Sequence, residues 1–346
     1  MWMNKLLISW LVLLLVGLLF GLHMPLLIII FGGVGLWLGS DRIVESTKSI
    51  ATKLGISNVL IALTVLSIGT SLPEIFTNVF SGLKVLHGVA EASGIGIGTN
   101  IGSDIFQITF ILGVTGLIAH IHTTKRILYR DGAMMLSAII MLIVFSIFFS
   151  SNGYFITRIE GAIMLLVYLV YLYFISKSED AFHKVNNSFK DHKKNHILLD
   201  CLLMLFGLGV LLIASKLVVD NALILMDVWQ VTGGFIGVLI IGVLTGLPEL
   251  STAVTAAFKK SHDISLGTII GSNITNPLMA TGIGAVIAGY SVSPVLFSFD
   301  MPFWFLISIL ALLLIRRKQL TLDRYESSVL IICYVLFVSL RIWLFA

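Results

Sequence analysis

Long apolar runs, separated by short charged clusters, set the pattern of this chain. A spanning helix needs about 20 mostly apolar residues, because each adds only about 1.5 Å of rise. Read that way, the chain predicts eleven helices, near 6–22, 26–42, 57–81, 92–119, 131–149, 157–176, 197–218, 230–258, 263–290, 301–315 and 329–345. The first run follows Lys5 and reads as a retained N-terminal helix or as a signal peptide. It runs into His23-Met24-Pro25 without a clear small-residue cleavage site, which favours retention.

Composition sharpens this reading. Of 346 residues, 58% are apolar and 12% are charged, about half the charge of a typical soluble domain at ~25%. That excludes an ordinary soluble domain, a disordered chain and a nucleic-acid binder. The net charge of +4 follows instead from membrane topology. With the second run entering from outside, seventeen Lys and Arg fall in inside loops and four, Lys84, Arg158, Lys216 and Arg341, fall outside. The polar stretch 177–196 is then a cytoplasmic linker, in a chain expected in the cell membrane. Cys201 and Cys333 lie in apolar runs and give neither metal spacing nor a disulfide framework.

The linker separates two halves that repeat each other. Gly39-Ser40-Asp41 matches Ala214-Ser215-Lys216, and Leu72-Pro73-Glu74 matches Leu247-Pro248-Glu249, both 175 residues apart. Gly102-Ser103-Asp104-Ile105 matches Gly271-Ser272-Asn273-Ile274, and Asp131 matches Asp300, both 169 apart. Arg158-x-Glu160 matches Arg324-x-Glu326 at 166. Five helices per copy, an odd number, turn the second copy upside down. The expected fold is all-α and polytopic: ten core helices in two inverted five-helix repeats, 25–176 and 197–346, preceded by a hydrophobic segment at 1–24. Inverted repeats with a site at their interface are the architecture of secondary transporters.

Three of the eighteen Asp and Glu lie deep in apolar runs: Glu74, Asp104 and Glu249. A carboxylate in the membrane is costly and is normally kept for function. Pro73 and Pro248 lack an N–H, so each frees the carbonyl four residues back, Gly69 and Leu244. A single such proline is only a kink. Two, each followed by Glu at matching positions, point to a cation site built from unwound backbone. Carboxylates, carbonyls and hydroxyls form an all-oxygen set suited to Ca²⁺ or Na⁺ rather than Zn²⁺ or Cu⁺. In the following helices Ser103 and Gln107 share one face, as do Ser272 and Asn276. The neighbouring glycines serve packing equally well.

The strings Gly69-Thr70-Ser71-Leu72-Pro73-Glu74 and Gly271-Ser272-Asn273-Ile274-Thr275-Asn276 resemble the signature repeats of the cation/calcium exchanger superfamily, specifically sodium/calcium exchangers. The site-bearing segments are about 57–119 and 230–290, and the resemblance extends over about 26–345. It implies Glu74 and Glu249 as central Ca²⁺ carboxylates, with the Thr70 and Thr245 carbonyls completing the shell. Flanking Na⁺ sites would use Ser71, Ser103, Ser272, the Thr70 and Thr245 hydroxyls, and carbonyls near Ser67 and Gly242. Gln107 and Asn276 would sit between the glutamates. Four positions depart from the usual pattern. Gly246 replaces a second Ser, Gln107 is longer than the usual Asn, Asn276 is neutral where many relatives carry Asp, and Asp104 replaces Asn. Asp104 points about 100° away from Ser103 around the helix and remains an open extra carboxylate.

The implied function is Na⁺/Ca²⁺ antiport by alternating access, electrogenic if about three Na⁺ exchange for one Ca²⁺. The implied partners are those two ions and the lipid bilayer, with no cofactor and no nucleic acid. Oligomeric state is open, and a monomer suffices. The first and sixth core helices (about 26–42 and 197–218) would slide across a fixed core. Alternatives are Ca²⁺/H⁺ antiport, potassium-dependent exchange and, more remotely, an intramembrane enzyme or a passive channel. No histidine lies well inside an apolar run, which weighs against an enzyme.

Overall fold

A computed structural model describes residues 25–53, 67–148, 153–179, 197–258, 262–317 and 320–345. The hydrophobic segment 1–24, most of the linker and the first part of the third apolar run lie outside these residues. Within them the chain forms ten helical units. In the first repeat, α1 is Pro25–Lys53, α2 is Ser67–Thr70 continued as Leu72–Leu86, α3 is Ala92–Ile118, α4 is Ile127–Phe148 and α5 is Arg158–Glu179. In the second, α6 is Ile197–Trp229 and α7 is Gly233–Phe258. Then α8 runs through His262–Thr275, Asn276–Thr281 and Gly282–Ala288, α9 is Leu296–Arg317 and α10 is Arg324–Phe345.

Eight of these units are long and apolar enough to cross a membrane, and α2 and α8 are not counted among them. Helix α8 carries Ser272, Asn273 and Asn276, whose polar groups lower its hydropathy, and only the Ser67–Leu86 part of α2 lies within the described residues. Several helices outrun their apolar cores. The sixth reaches Trp229 rather than 218, the ninth begins at Leu296 rather than 301, and the tenth at Arg324 rather than 329. Helical hydrogen bonding does not stop where charged residues begin, so apolar runs underestimate helix ends.

Four short strands show the inversion directly. Strand β1 (Ile121–His122) precedes α4 and pairs antiparallel with β4 (Thr321–Leu322), which follows α9. Strand β2 (Tyr154–Ile156) follows α4 and pairs with β3 (Tyr290–Val292), which precedes α9. Helix α4 therefore runs from the first ribbon to the second, and α9, its counterpart, runs from the second to the first. Each loop pairs with the neighbour of its equivalent, as inversion requires.

The two long helices α1 and α6 lie against each other. Gly39 meets the Gly207 backbone and Gly32 meets Ala214 and Val218. The first contact becomes the second when both residues move by the 175-residue offset. The interior is centred on α3, whose residues Ala92–Phe106 are all buried. Helices α3 and α8 each switch to a wider π turn, at Gln107–Ile111 and Asn276–Thr281, again 169 residues apart. Such turns are rare and cluster at functional sites.

Candidate functional site

Proline and its neighbours break α2 where the site forms. Pro73 cannot donate to the Gly69 carbonyl, and the helix is interrupted at Ser71. The freed carbonyl finds a partner on another helix: the Ser40 hydroxyl of α1 donates to it at 2.6 Å. A protein hydroxyl thus takes the place the sequence assigned to a cation at Gly69. In the second repeat, the corresponding Ser215 donates instead to its own helix, at the Leu211 carbonyl, 2.8 Å away.

Just past each break sits a glutamate with no exposed surface. One oxygen of each is held by a serine of the following helix. Ser103 donates to Glu74 Oε1 at 2.6 Å, and Ser272 donates to Glu249 Oε1 at 3.1 Å. The second oxygens, Glu74 Oε2 and Glu249 Oε2, have no hydrogen-bond partner. The repeats cross here. The Thr245 side chain lies beside Glu74, and the Thr70 side chain lies beside Glu249. The Thr70 and Ser272 hydroxyls lie 3.4 Å apart.

The amides extend the crossing. Gln107 Nε2 donates to Ser103 Oγ at 3.0 Å, and its Oε1 accepts from Asn273 Nδ2, also at 3.0 Å. Asn273 Oδ1 accepts from Trp304 Nε1 at 3.3 Å. Trp304, Asn273, Gln107 and Ser103 thus form a chain of donors that ends on Glu74. The opposite pair is Asn276, whose Nδ2 donates to Asp104 Oδ1 at 2.7 Å. Asp104 Oδ2 and Asn276 Oδ1 are buried without partners. Asp104, left open from the helical angle, is therefore drawn into the site through Asn276.

Three other buried acids have protein partners. Asp131 pairs with Arg130 at 2.7 Å and accepts from Tyr171 Oη at 3.0 Å. Asp300 lies 2.9 Å from Arg341 Nε. Glu160 accepts from the Thr157 amide at 2.7 Å and so caps α5. Glu74, Asp104 and Glu249 pair with no Lys or Arg among the described residues.

Several expected ligands are otherwise engaged. The Gly242 carbonyl accepts from the Gly246 amide at 3.1 Å and from Thr245 Oγ1 at 3.3 Å. Gly242 itself serves close packing, since a Cβ there would come 2.6 Å from the Ser103 amide nitrogen of α3. Ser71 is buried and its hydroxyl has no partner. Ser67 begins α2, but its side chain lies outside the described residues. Gly246, where a serine was expected, faces Phe106: a Cβ there would stand 3.0 Å from the ring and 3.4 Å from Ser103 Oγ. Asn273, Trp304 and Ser40 were missed as site residues. Asn273 had a signal, because it matches Asp104 in the repeat alignment.

Among the described residues no three His, Cys, Asp or Glu converge as a metal ligand cluster. The donor set is instead two carboxylates from opposite repeats, with hydroxyl and amide oxygens beside them. It is rich in unpartnered oxygen and fits a hard cation.

The family described as sodium/calcium exchanger protein matches residues 24–177 and 200–343. The chain belongs to that family. It is an integral membrane transporter, not an enzyme. The exchanger is 28% identical to the sodium/calcium exchanger MaX1 of Methanosarcina acetivorans, over 90% of this chain and 96% of the relative. It is 29% identical to the inner membrane protein YrbG of Escherichia coli, over 88% and 93%. Its fold is similar to the sodium-calcium exchanger NCX_Mj in a structure soaked with Na⁺ and Sr²⁺. The TM-score is 0.61 at 26% identity, over 92% of this chain and 98% of the other.

Proposed function

We propose that this exchanger carries Ca²⁺ one way and Na⁺ the other through the single site between its repeats. The observation that carries this reading is the symmetric pair Glu74 and Glu249, each buried, each tied to one serine, and each with an unpartnered oxygen. Two carboxylates balance one Ca²⁺. Ser71, Ser103, Ser272, Thr70 and Thr245, with carbonyls near Ser67 and Gly242, supply the neutral oxygens that Na⁺ takes. Because both cargoes draw on Glu74 and Glu249, they compete. An empty carrier would bury two unpaired charges, so its crossing is disfavoured and transport becomes exchange.

In this reading Gln107 orients Ser103 towards Glu74, and Asp104 orients Asn276 at the centre. The site-bearing segments are 57–119 and 230–290 within repeats 25–176 and 197–346. The bias of basic residues supports a cytoplasmic linker 177–196, in a chain of the cell membrane. A monomer suffices for this reading and no cofactor is called for, and exchange of about three Na⁺ for one Ca²⁺ moves charge worth ~2.3 kcal/mol per 100 mV.

One observation favours a second reading. Asp104 is a third buried carboxylate beside the centre, and a proton on it would allow H⁺ coupling. The test is Ca²⁺ uptake into Na⁺-loaded vesicles by the wild type and by Glu74→Gln/Glu249→Gln. Uptake that needs internal Na⁺ and both glutamates supports exchange. Uptake that follows a pH gradient and ignores Na⁺ supports proton coupling.

A further inference from the structure

Past Glu74, helix α2 carries a polar stripe that its counterpart in α7 lacks. Glu74, Thr77, Asn78 and Ser81 fall at i, i+3, i+4 and i+7, on one face, and none has exposed surface. In the second repeat, at the 175-residue offset, the stripe reads Glu249, Thr252, Ala253 and Ala256. The groups facing the stripe differ in the same way. Asn100, Thr281 and Tyr290 line it in one half. The matching positions at the 169-residue offset are Ile269, Leu112 and Ile121, all buried.

The network fixes the stripe with one kind of atom left over. Asn78 Nδ2 donates to the Glu74 carbonyl and to Asn100 Oδ1, both at 2.9 Å. Asn100 Nδ2 donates to Thr281 Oγ1 at 2.6 Å, and Tyr290 Oη donates to the Asn78 carbonyl at 2.8 Å. With its nitrogen committed, Asn78 turns Oδ1 towards Gly96, where a Cβ would stand 3.0 Å from it, 2.7 Å from Tyr290 Oη and 3.1 Å from Ser81 Cβ. In the other repeat the matching Ser265 occupies that place and donates to the Ala253 carbonyl at 3.2 Å. Asn78 Oδ1, Thr77 Oγ1 and Ser81 Oγ are all buried without a hydrogen-bond partner. Buried hydroxyls such as Thr99, Ser146 and Ser215 turn back onto the carbonyl four residues earlier. Thr77 and Ser81 do not, and in this they resemble Ser71 and Ser308.

Orphaned oxygens at this depth are costly, and the second repeat shows that the fold packs without them. We propose that Thr77, Asn78 and Ser81 form a second cation station, one turn beyond Glu74 towards the face bearing β2 and β3. It takes a dehydrated monovalent alkali cation of the Na⁺ class. Neutral oxygens suffice for such an ion, whereas a divalent ion calls for carboxylates within its shell. The station lies on one side of the centre only. The proposal rests on the exchange reading for its role in the cycle, but the binding itself does not.

The test is equilibrium binding of ²²Na⁺ and ⁴⁵Ca²⁺ to the purified full-length protein, wild type against Asn78→Ala/Ser81→Ala, which installs the alanines of the second repeat. The expected result is Na⁺ half-saturation raised about fivefold or more, with Ca²⁺ half-saturation changed less than about twofold. Unchanged Na⁺ binding would overturn the proposal and leave the oxygens to water, and equal loss of both ions would assign the effect to the central glutamates. Ser81→Ala alone removes no hydrogen bond of the network. It repeats the test with a smaller shift if the double variant does not fold. Failure of the exchange reading shows separately, as a wild type that binds Na⁺ but moves no Ca²⁺ against it.

Discussion

Glu74 sits at the end of a chain of four donors. Trp304, Asn273, Gln107 and Ser103 each donate to the next group. Such a chain presents an acceptor carboxylate with a fixed geometry. Trp304→Phe keeps an aromatic ring at this fully buried position but removes the first donor and part of the indole's volume. We expect about 1 kcal/mol of lost orientation, read as Ca²⁺ half-saturation raised roughly fivefold with exchange retained. Asp104→Asn keeps an oxygen that accepts from Asn276, so exchange should survive within about fivefold, whereas Asp104→Ala should lose more. A loss of all flux in Asp104→Asn would make Asp104 an ion carboxylate rather than a positioning group. At this scale the sequence made the two glutamates and their serines legible, because the repeats duplicate them. Asn273 was aligned with Asp104 but not read as part of the site. Trp304 and Ser40 could not be read, because each acts across a helix contact that no local motif encodes.

The helices show how a proline break is used differently in each copy. In the first, the Ser40 hydroxyl of α1 takes the carbonyl that Pro73 frees. Helix α1 is one of the pair expected to slide, and in that case this bond would tie a moving helix to the site. Ser40→Ala should leave a buried carbonyl unpaired at ~1–3 kcal/mol, favouring the conformations in which that carbonyl is wet. Faster amide hydrogen exchange at Gly69 to Glu74 in the variant would show it, and unchanged exchange would contradict it. Gly242 is set by the approach of α3, with a Cβ position 2.6 Å from the Ser103 nitrogen. Gly242→Ala should push α3 and α7 apart and lower the melting temperature, at a cost of ~1–3 kcal/mol. Within the described residues the order of the ten core helices was legible from apolar runs, but their ends were not. The π turn at Asn276 contains Pro277, whose missing N–H interrupts the α-helical ladder, whereas the one at Gln107 has no proline.

For the whole molecule, the two ribbons at opposite ends of α4 and α9 establish the inversion that an odd helix count implied. A pseudo-symmetric carrier with its carboxylates at the crossing can face either side with similar contacts, which is what exchange requires. The symmetry is incomplete at the proposed ion sites: Ser71 matches Gly246, and Asn78 matches Ala253, in the repeat alignment. Exchange that moves net charge should quicken with membrane potential, by the ~2.3 kcal/mol per charge per 100 mV available to it. Clamping proteoliposomes with K⁺ and valinomycin checks this, and a rate independent of potential would indicate electroneutral exchange. The measurement that bears most directly on the central claim is ⁴⁵Ca²⁺ uptake into Na⁺-loaded proteoliposomes, with and without a pH gradient, beside Glu74→Gln/Glu249→Gln. The account predicts uptake that requires internal Na⁺, ignores the pH gradient and vanishes in the double variant. Uptake that persists without both carboxylates, or that follows protons alone, would contradict it.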